Sequence, residues 1–281
     1  MQSKVRLFAD DCIIYNPIKG VEDCTSLQND LHTLETWVNT WLMELHPAKC
    51  STMHITRKKP QNIIHFPYSI HGTTLDCTTS TKYLGITIDD KLQWSTHIGK
   101  TTAKANSILG LMCRNLKFCP QKTKELAYFT LVRPTLEYAS SAWDPYQSKD
   151  KSVLEGSKKG CTLRQGKLWP LRHVSEMIAD LGWPSLDSRR RQSRLCYMFK
   201  YVHNLARVDH TQHMVLTPPS ARMFTPFKIS KPQCSTNYLK YSFFPNTIKD
   251  WNSLPTAARS METLDQFKGY LNQGITKARP I

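Results

Sequence analysis

The chain has 281 residues, 40% of them hydrophobic, which suffices for a core and excludes a disordered tail. Lys and Arg number 38 against 22 Asp and Glu, and the net charge of +16 implies a polyanionic partner, most simply nucleic acid. That charge is spread along the chain rather than set on one amphipathic helix, and no apolar run approaches the ~20 residues that cross a bilayer, so no membrane partner is expected.

Val5-Arg6-Leu7-Phe8 and Cys12-Ile13-Ile14-Tyr15 are β-forming runs on either side of Ala9-Asp10-Asp11, which predicts a tight hairpin with Asp10 and Asp11 at its tip. Adjacent like charges between apolar strands are unfavourable unless they face solvent or a cation, and a hard divalent ion with oxygen ligands resolves the repulsion. Such a pair suits two-metal phosphoryl transfer, although Asp in a turn also has a purely local use, hydrogen-bonding its own backbone. Next, Leu27, Leu31, Leu34, Val38, Trp41 and Leu42 recur at helical spacing and predict an amphipathic helix over about 21–43, packed on the sheet that carries the hairpin. After Pro47, residues 50–56 predict a strand, which makes this part a strand–helix–strand unit of α+β character. Lys49, just before it, reads locally as a solvated loop lysine.

Residues 68–70 and 73–75 around His71-Gly72 predict a second hairpin. Within 81–89, Gly85 lets a backbone approach a ligand closely and Tyr83 can pack against a sugar or base; the structural alternative is an edge strand bulged at Gly85. Three helices should follow. One covers about 94–115, with Ser95 as N-cap and Ile98, Ala105, Ile108, Leu109 and Met112 as its stripe; another begins at Pro120 and stops near Arg133-Pro134; the third covers 136–143. Residues 151–207 are the most basic, with Lys158, Lys159, Arg164, Lys167 and Arg172. There Arg189, Arg190, Arg191 and Arg194 lie on a predicted helix with one basic and one apolar side. A positive helical face can neutralise phosphates without reading sequence, while a solvated face on a packing helix is the alternative. Prolines with Ser and Thr predict an irregular connector over 208–237, and the aromatics of the closing stretch are expected in a core. Nine scattered cysteines without a CxxC pair speak for reduced thiols in an intracellular protein rather than a disulfide framework or zinc knuckle.

Taken in order, these motifs resemble one family. Phe8-Ala9-Asp10-Asp11 between apolar strands resembles the palm hairpin of reverse transcriptases, in the form carried by non-LTR (LINE-type) retrotransposons. His46-Pro47-Ala48-Lys49-Cys50 is similar to that family's Asn-Pro-x-Lys-Thr/Cys element, with His46 where Asn is usual. Lys82-Tyr83-Leu84-Gly85 followed by Ile86-Thr87-Ile88-Asp89 resembles its primer grip. Leu136-Glu137-Tyr138-Ala139, Trp143-Asp144-Pro145, Leu181-Gly182-Trp183-Pro184 and the tail through Lys249-Asp250-Trp251 resemble its later segments.

The resemblance implies an α+β fold: a partial polymerase palm of antiparallel strands plus a helix over 1–93, a helical thumb over 94–150 and a basic C-terminal region over 151–281. It implies RNA-directed DNA polymerase activity on an RNA template and DNA primer with deoxynucleotides, in the nucleus or a cytoplasmic ribonucleoprotein. In that scheme Asp10 and Asp11 bind Mg2+ in a two-metal site and Lys49 approaches the nucleotide's phosphates. Lys82, Tyr83, Leu84 and Gly85 hold the primer, and Arg189, Arg190, Arg191 and Arg194 contact nucleic acid. The family's fingers and an earlier palm strand with another metal-binding aspartate would precede Met1, and Asp89 or Asp90 is not placed to replace it. The chain is therefore expected to be a C-terminal part, inactive alone. A non-catalytic RNA- or DNA-binding remnant and a scaffold whose charge serves solubility are the other readings.

Overall fold

The structure is a computed structural model, described here for residues 2–155, 183–206, 213–217 and 226–277. Lys158, Lys159, Arg164, Lys167, Arg172, Leu181, Gly182 and much of the expected connector lie outside the described residues. The chain divides into two compact units, 1–97 and 98–281, so most of the segment expected as a thumb shares a unit with the basic C-terminal region. The α+β class expected from the patterning holds, with small sheets in the first unit and helices dominating the second.

In the first unit β1 (Lys4–Phe8) and β2 (Asp11–Tyr15) form an antiparallel hairpin in which Phe8 pairs with Asp11. Helix α1 (Val21–Thr40) starts after Gly20, where the Asp23 carboxylate accepts the Lys19 and Gly20 N–H groups at 2.7 and 3.1 Å. Those two bonds hold the Asp23 carboxyl below its ordinary value. Cys24, Leu31, Leu34 and Val38 form its buried stripe.

The helix ends earlier than the periodicity predicts. The N–H of Met43 bonds to the Val38 carbonyl and that of Leu42 to the Asn39 carbonyl, a Schellman closure with Leu42 at φ +54° in the position glycine usually takes. Trp41 and Leu42 consequently leave the stripe and face solvent.

The expected strand over 50–56 shrinks to β3 (Ser51–Thr52). It pairs in parallel with β6 (Asp76–Cys77), not with β1 or β2, so the hairpin's sheet is a two-stranded ribbon. Two further hairpins are β4 (Ser69–Ile70) with β5 (Thr73–Thr74) and β7 (Ser80–Tyr83) with β8 (Ile86–Asp89). Their turns, His71-Gly72 and Leu84-Gly85, have positive φ at both residues, the twist that a two-residue hairpin loop needs. Gly85 is therefore a turn residue and not a bulge. Cys24, Leu31, Tyr68 and Ile70 form the core of this unit, with Ile14, Leu27, Leu45 and Cys50 packed against it.

The second unit contains most of α2 (Ser95–Asn115), which buries Ile98, Ala105, Leu109 and Met112 as its stripe requires. The next helix does not stop at Pro134. It runs from Gln121–Ala127 through a π-helical turn, Tyr128–Val132, into Arg133–Glu137. A proline removes one helical donor and crowds the carbonyl four residues earlier, and the wider π turn just before it accommodates both effects. Ala139, at φ +49°, then breaks the run before Ser140–Trp143.

The basic helix, Leu186–Val202, packs against Phe243–Asn252 and Leu264–Lys277. Met198, Phe199, Ile248, Trp251 and Phe267 are fully buried there, as expected for the closing aromatics. The Trp251 indole N–H donates to the Phe227 carbonyl at 2.7 Å. Within the expected connector, Leu216 and Ile229 form an isolated antiparallel bridge, and Met214 and Ile229 join the core. Among the described residues no helix is long and apolar enough to cross a membrane.

Candidate metal and nucleic-acid site

The hairpin turn is Ala9-Asp10, one residue earlier than an Asp-Asp turn, since Phe8 already pairs with Asp11. Ala9 sits at φ +51°, a region that L side chains rarely adopt, so the backbone beside the carboxylates is held under strain by the two flanking strands. Asp10 lies in the turn and Asp11 opens β2; both are exposed, and the neighbouring Leu7 and Phe8 are exposed too. Two carboxylates in solvent supply hard oxygen donors of the kind Mg2+ takes. They do not by themselves make a two-metal site: among the described residues no group of three or more His, Cys, Asp or Glu side chains could hold a metal ion. Asp89 does not complete it, because its Oδ1 accepts the N–H groups of Lys91 at 3.1 Å and Gln93 at 2.6 Å in the turn after β8.

Lys49 ends a short 3-10 turn, Pro47–Lys49, and is exposed. Burial pushes the Cys12 thiol up, and the charge of nearby Cys50 adds to the effect. Ile14 of β2 and Cys50, the residue after Lys49, pack against the same core.

The β7–β8 hairpin presents Lys82 and Gly85 to solvent, with Tyr83 and Leu84 half-buried. Its far strand is tied to the start of α2, where the Thr87 N–H donates to His97 Nδ1 at 3.2 Å, both residues being buried.

The four arginines of the basic helix belong to the second unit, and all four point at carboxylates. Arg189 makes a two-pronged contact with Glu137, its Nη2 lying 2.9 Å from Oε2, which raises the guanidinium's pKa further. Arg190, only 1% exposed, places Nε 2.8 Å from Asp144 Oδ1. Arg194 places Nε 2.8 Å from Asp144 Oδ2 and Nη2 3.1 Å from Asp250 Oδ2. Arg191 keeps 46% of its side chain exposed while Nε lies 3.3 Å from Asp250 Oδ1. Burying cations is unfavourable unless they are paired, and these pairs supply that compensation. Reading the sequence did not single out Glu137, Asp144 and Asp250 as partners. Their signal lay in the segments Leu-Glu-Tyr-Ala, Trp-Asp-Pro and Lys-Asp-Trp that carry the family resemblance.

Over 140 residues, 48% of the chain, the sequence is 27% identical to the probable RNA-directed DNA polymerase from transposon BS of Drosophila melanogaster. Over 233 residues, 78% of the chain, it is 25% identical to the RNA-directed DNA polymerase from mobile element jockey of the same species. These partial homologies bear out the resemblance to non-LTR reverse transcriptases. The matched stretches are 15% and 24% of those proteins, so the chain spans a quarter or less of the curated relatives it matches. No family model matches the chain, and no solved structure does.

Proposed function

We propose that this chain is part of an RNA-directed DNA polymerase of a LINE-type element, acting on an RNA template and DNA primer with deoxynucleotides. The observation that carries the reading is the hairpin tip, where Asp10 and Asp11 stand exposed, in a protein whose relatives are named polymerases. In this reading the two aspartates are ligands for Mg2+, Lys49 is the cationic donor to nucleotide phosphates, and the Lys82-Tyr83-Leu84-Gly85 turn holds the primer. In this reading a further acidic ligand, absent beside the pair among the described residues, completes the two-metal site, and the chain alone is taken to be inactive. From the basic helix, Arg191 has the exposure to meet phosphate, while Arg190 and Arg194 hold the helix in place.

The same lack of a third carboxylate favours a second reading, nucleic-acid binding without chemistry. Primer extension on an RNA template with Mg2+ separates the two. The chain, the chain supplemented with a polypeptide carrying the upstream part of such a polymerase, and the Asp10→Asn/Asp11→Asn variant of each are compared. Extension only in the supplemented parent supports the polymerase reading; binding equal in all samples with no extension supports the second. Extension by the unsupplemented chain, abolished in its variant, refutes the claim of inactivity alone.

A further inference from the structure

Between Asp90 and Glu125 the sequence contains no acidic residue, and this acid-free stretch includes the whole of α2. Lys100, Lys104 and Arg114 are exposed along that helix. At about 1.5 Å of rise per residue they span ~21 Å, the length of a short run of backbone phosphates. None of the three has an ion-pair partner among the described residues, in contrast to the arginines of the basic helix. Exposed positions beside them include Gly99, Ala103 and Ser107, residues so small that a bound strand can lie close to the helix. Just past the helix, Phe118 is 92% exposed, and the Lys117 ammonium stands 5.3 Å from its ring centroid. A fully exposed phenylalanine is costly in water and is the residue type on which unpaired bases stack.

From a phosphate-length row of unpaired cations ending in an open aromatic ring, we infer that the α2 face from Lys100 to Phe118 is a track for single-stranded nucleic acid. The backbone lies along Lys100, Lys104 and Arg114, and a base stacks on Phe118. Charge complementarity selects a polyanion, and the ring selects a strand whose bases are unpaired over a duplex. The inference rests on the reading of the chain as a nucleic-acid partner and adds to it the surface and the strand type.

The test is fluorescence anisotropy of the full chain with a labelled single-stranded oligonucleotide and a duplex of equal length, over a salt series. For the single strand, the Lys100→Gln/Lys104→Gln/Arg114→Gln variant should flatten the slope of log affinity against log salt by ~2, at ~0.7 for each phosphate no longer neutralised. Replacing Lys231, Lys240 and Lys249, exposed lysines elsewhere in the second unit, by Gln should leave the slope unchanged. Phe118→Ala should weaken single-strand binding about tenfold and leave duplex binding as it was, and Phe118→Trp should restore the loss. Thermal melts by circular dichroism establish that each variant is folded. A parent that binds the single strand, with an unchanged slope in the triple variant or unchanged affinity in Phe118→Ala, overturns the track while leaving the nucleic-acid reading intact. A parent that binds neither oligonucleotide overturns both.

Discussion

Arg190 and Asp144 form a buried ion pair, with Nε 2.8 Å from Oδ1 and the arginine 1% exposed, and the other oxygen of the same carboxylate is taken by Arg194 at 2.8 Å. One aspartate thus bridges two guanidinium groups a helical turn apart. Removing it leaves both cations buried and short of a partner, a change that typically costs about 3–5 kcal/mol. Asp144→Ala should therefore lower the urea midpoint of unfolding sharply, whereas Arg191→Gln, at an exposed position, should move stability by no more than ~0.5 kcal/mol. Equal midpoints for the parent and Asp144→Ala would show that the pair does not hold the helix.

Asp10 and Asp11 behave differently because they are exposed at a hairpin tip. The Asp10→Asn/Asp11→Asn variant should keep the parent's melting temperature, since surface substitutions of this kind usually change stability by less than ~0.5 kcal/mol. It should also lose any Mg2+ binding that the parent shows by titration calorimetry. A large fall in melting temperature would assign the aspartates a structural task instead.

Asp30 anchors the start of the hairpin to α1, its Oδ2 accepting the N–H groups of Ser3 at 2.6 Å and Gln2 at 2.9 Å. Burial alone would raise its pKa, but the hydrogen bonds of Ser3 and Gln2 outweigh burial and hold the carboxyl below its ordinary value. On acidification the unfolded chain then takes up the proton first. The stabilisation is whole above the ordinary carboxylate value of about 4 and disappears as the pH falls through the lower folded value. Asp30→Asn should accelerate hydrogen exchange at the Ser3 amide at neutral pH, and the difference from the parent should shrink below about pH 4.

Two glycines should respond to alanine in opposite directions. Gly85 has φ +81° in the β7–β8 turn, where an added Cβ is strained, so Gly85→Ala should cost ~1 kcal/mol. Gly99 lies in α2 with nothing within 4 Å of where a Cβ would stand, so Gly99→Ala should stabilise by up to ~1 kcal/mol. Chemical denaturation of the two variants checks both signs.

Local chemistry made much of this readable beforehand. β-Branched runs around Ala9-Asp10-Asp11 announced the hairpin, and His71-Gly72 marked a turn whose positive φ values follow from its short loop; the turn at Leu84-Gly85 was not readable, since a lone glycine in a strand pattern also fits a bulge. The end of α1 was not readable, because Trp41 and Leu42 continue the apolar period while Leu42 adopts the left-handed closure. Nor was the course through Pro134, since a π turn is a response to crowding rather than a composition signal. The four arginines at 189, 190, 191 and 194 looked equivalent as a charge run, yet burial separates Arg190 and Arg194 from Arg191.

Composition, periodicity and motif order are properties of neighbouring residues, and they suffice for the basic character of the chain, its α+β class, the aspartate hairpin and the kinship with mobile-element polymerases. Which charges hold the protein together and which stay open to a partner is settled by folding alone. That division depends on carboxylates 46 to 56 residues away, such as Asp144 and Asp250, reaching the basic helix through packing, and no local pattern reports such an encounter. The cations of α2 remain in solvent for the complementary reason: no acidic residue near them in sequence, and no ion-pair partner among the described residues, comes to neutralise them.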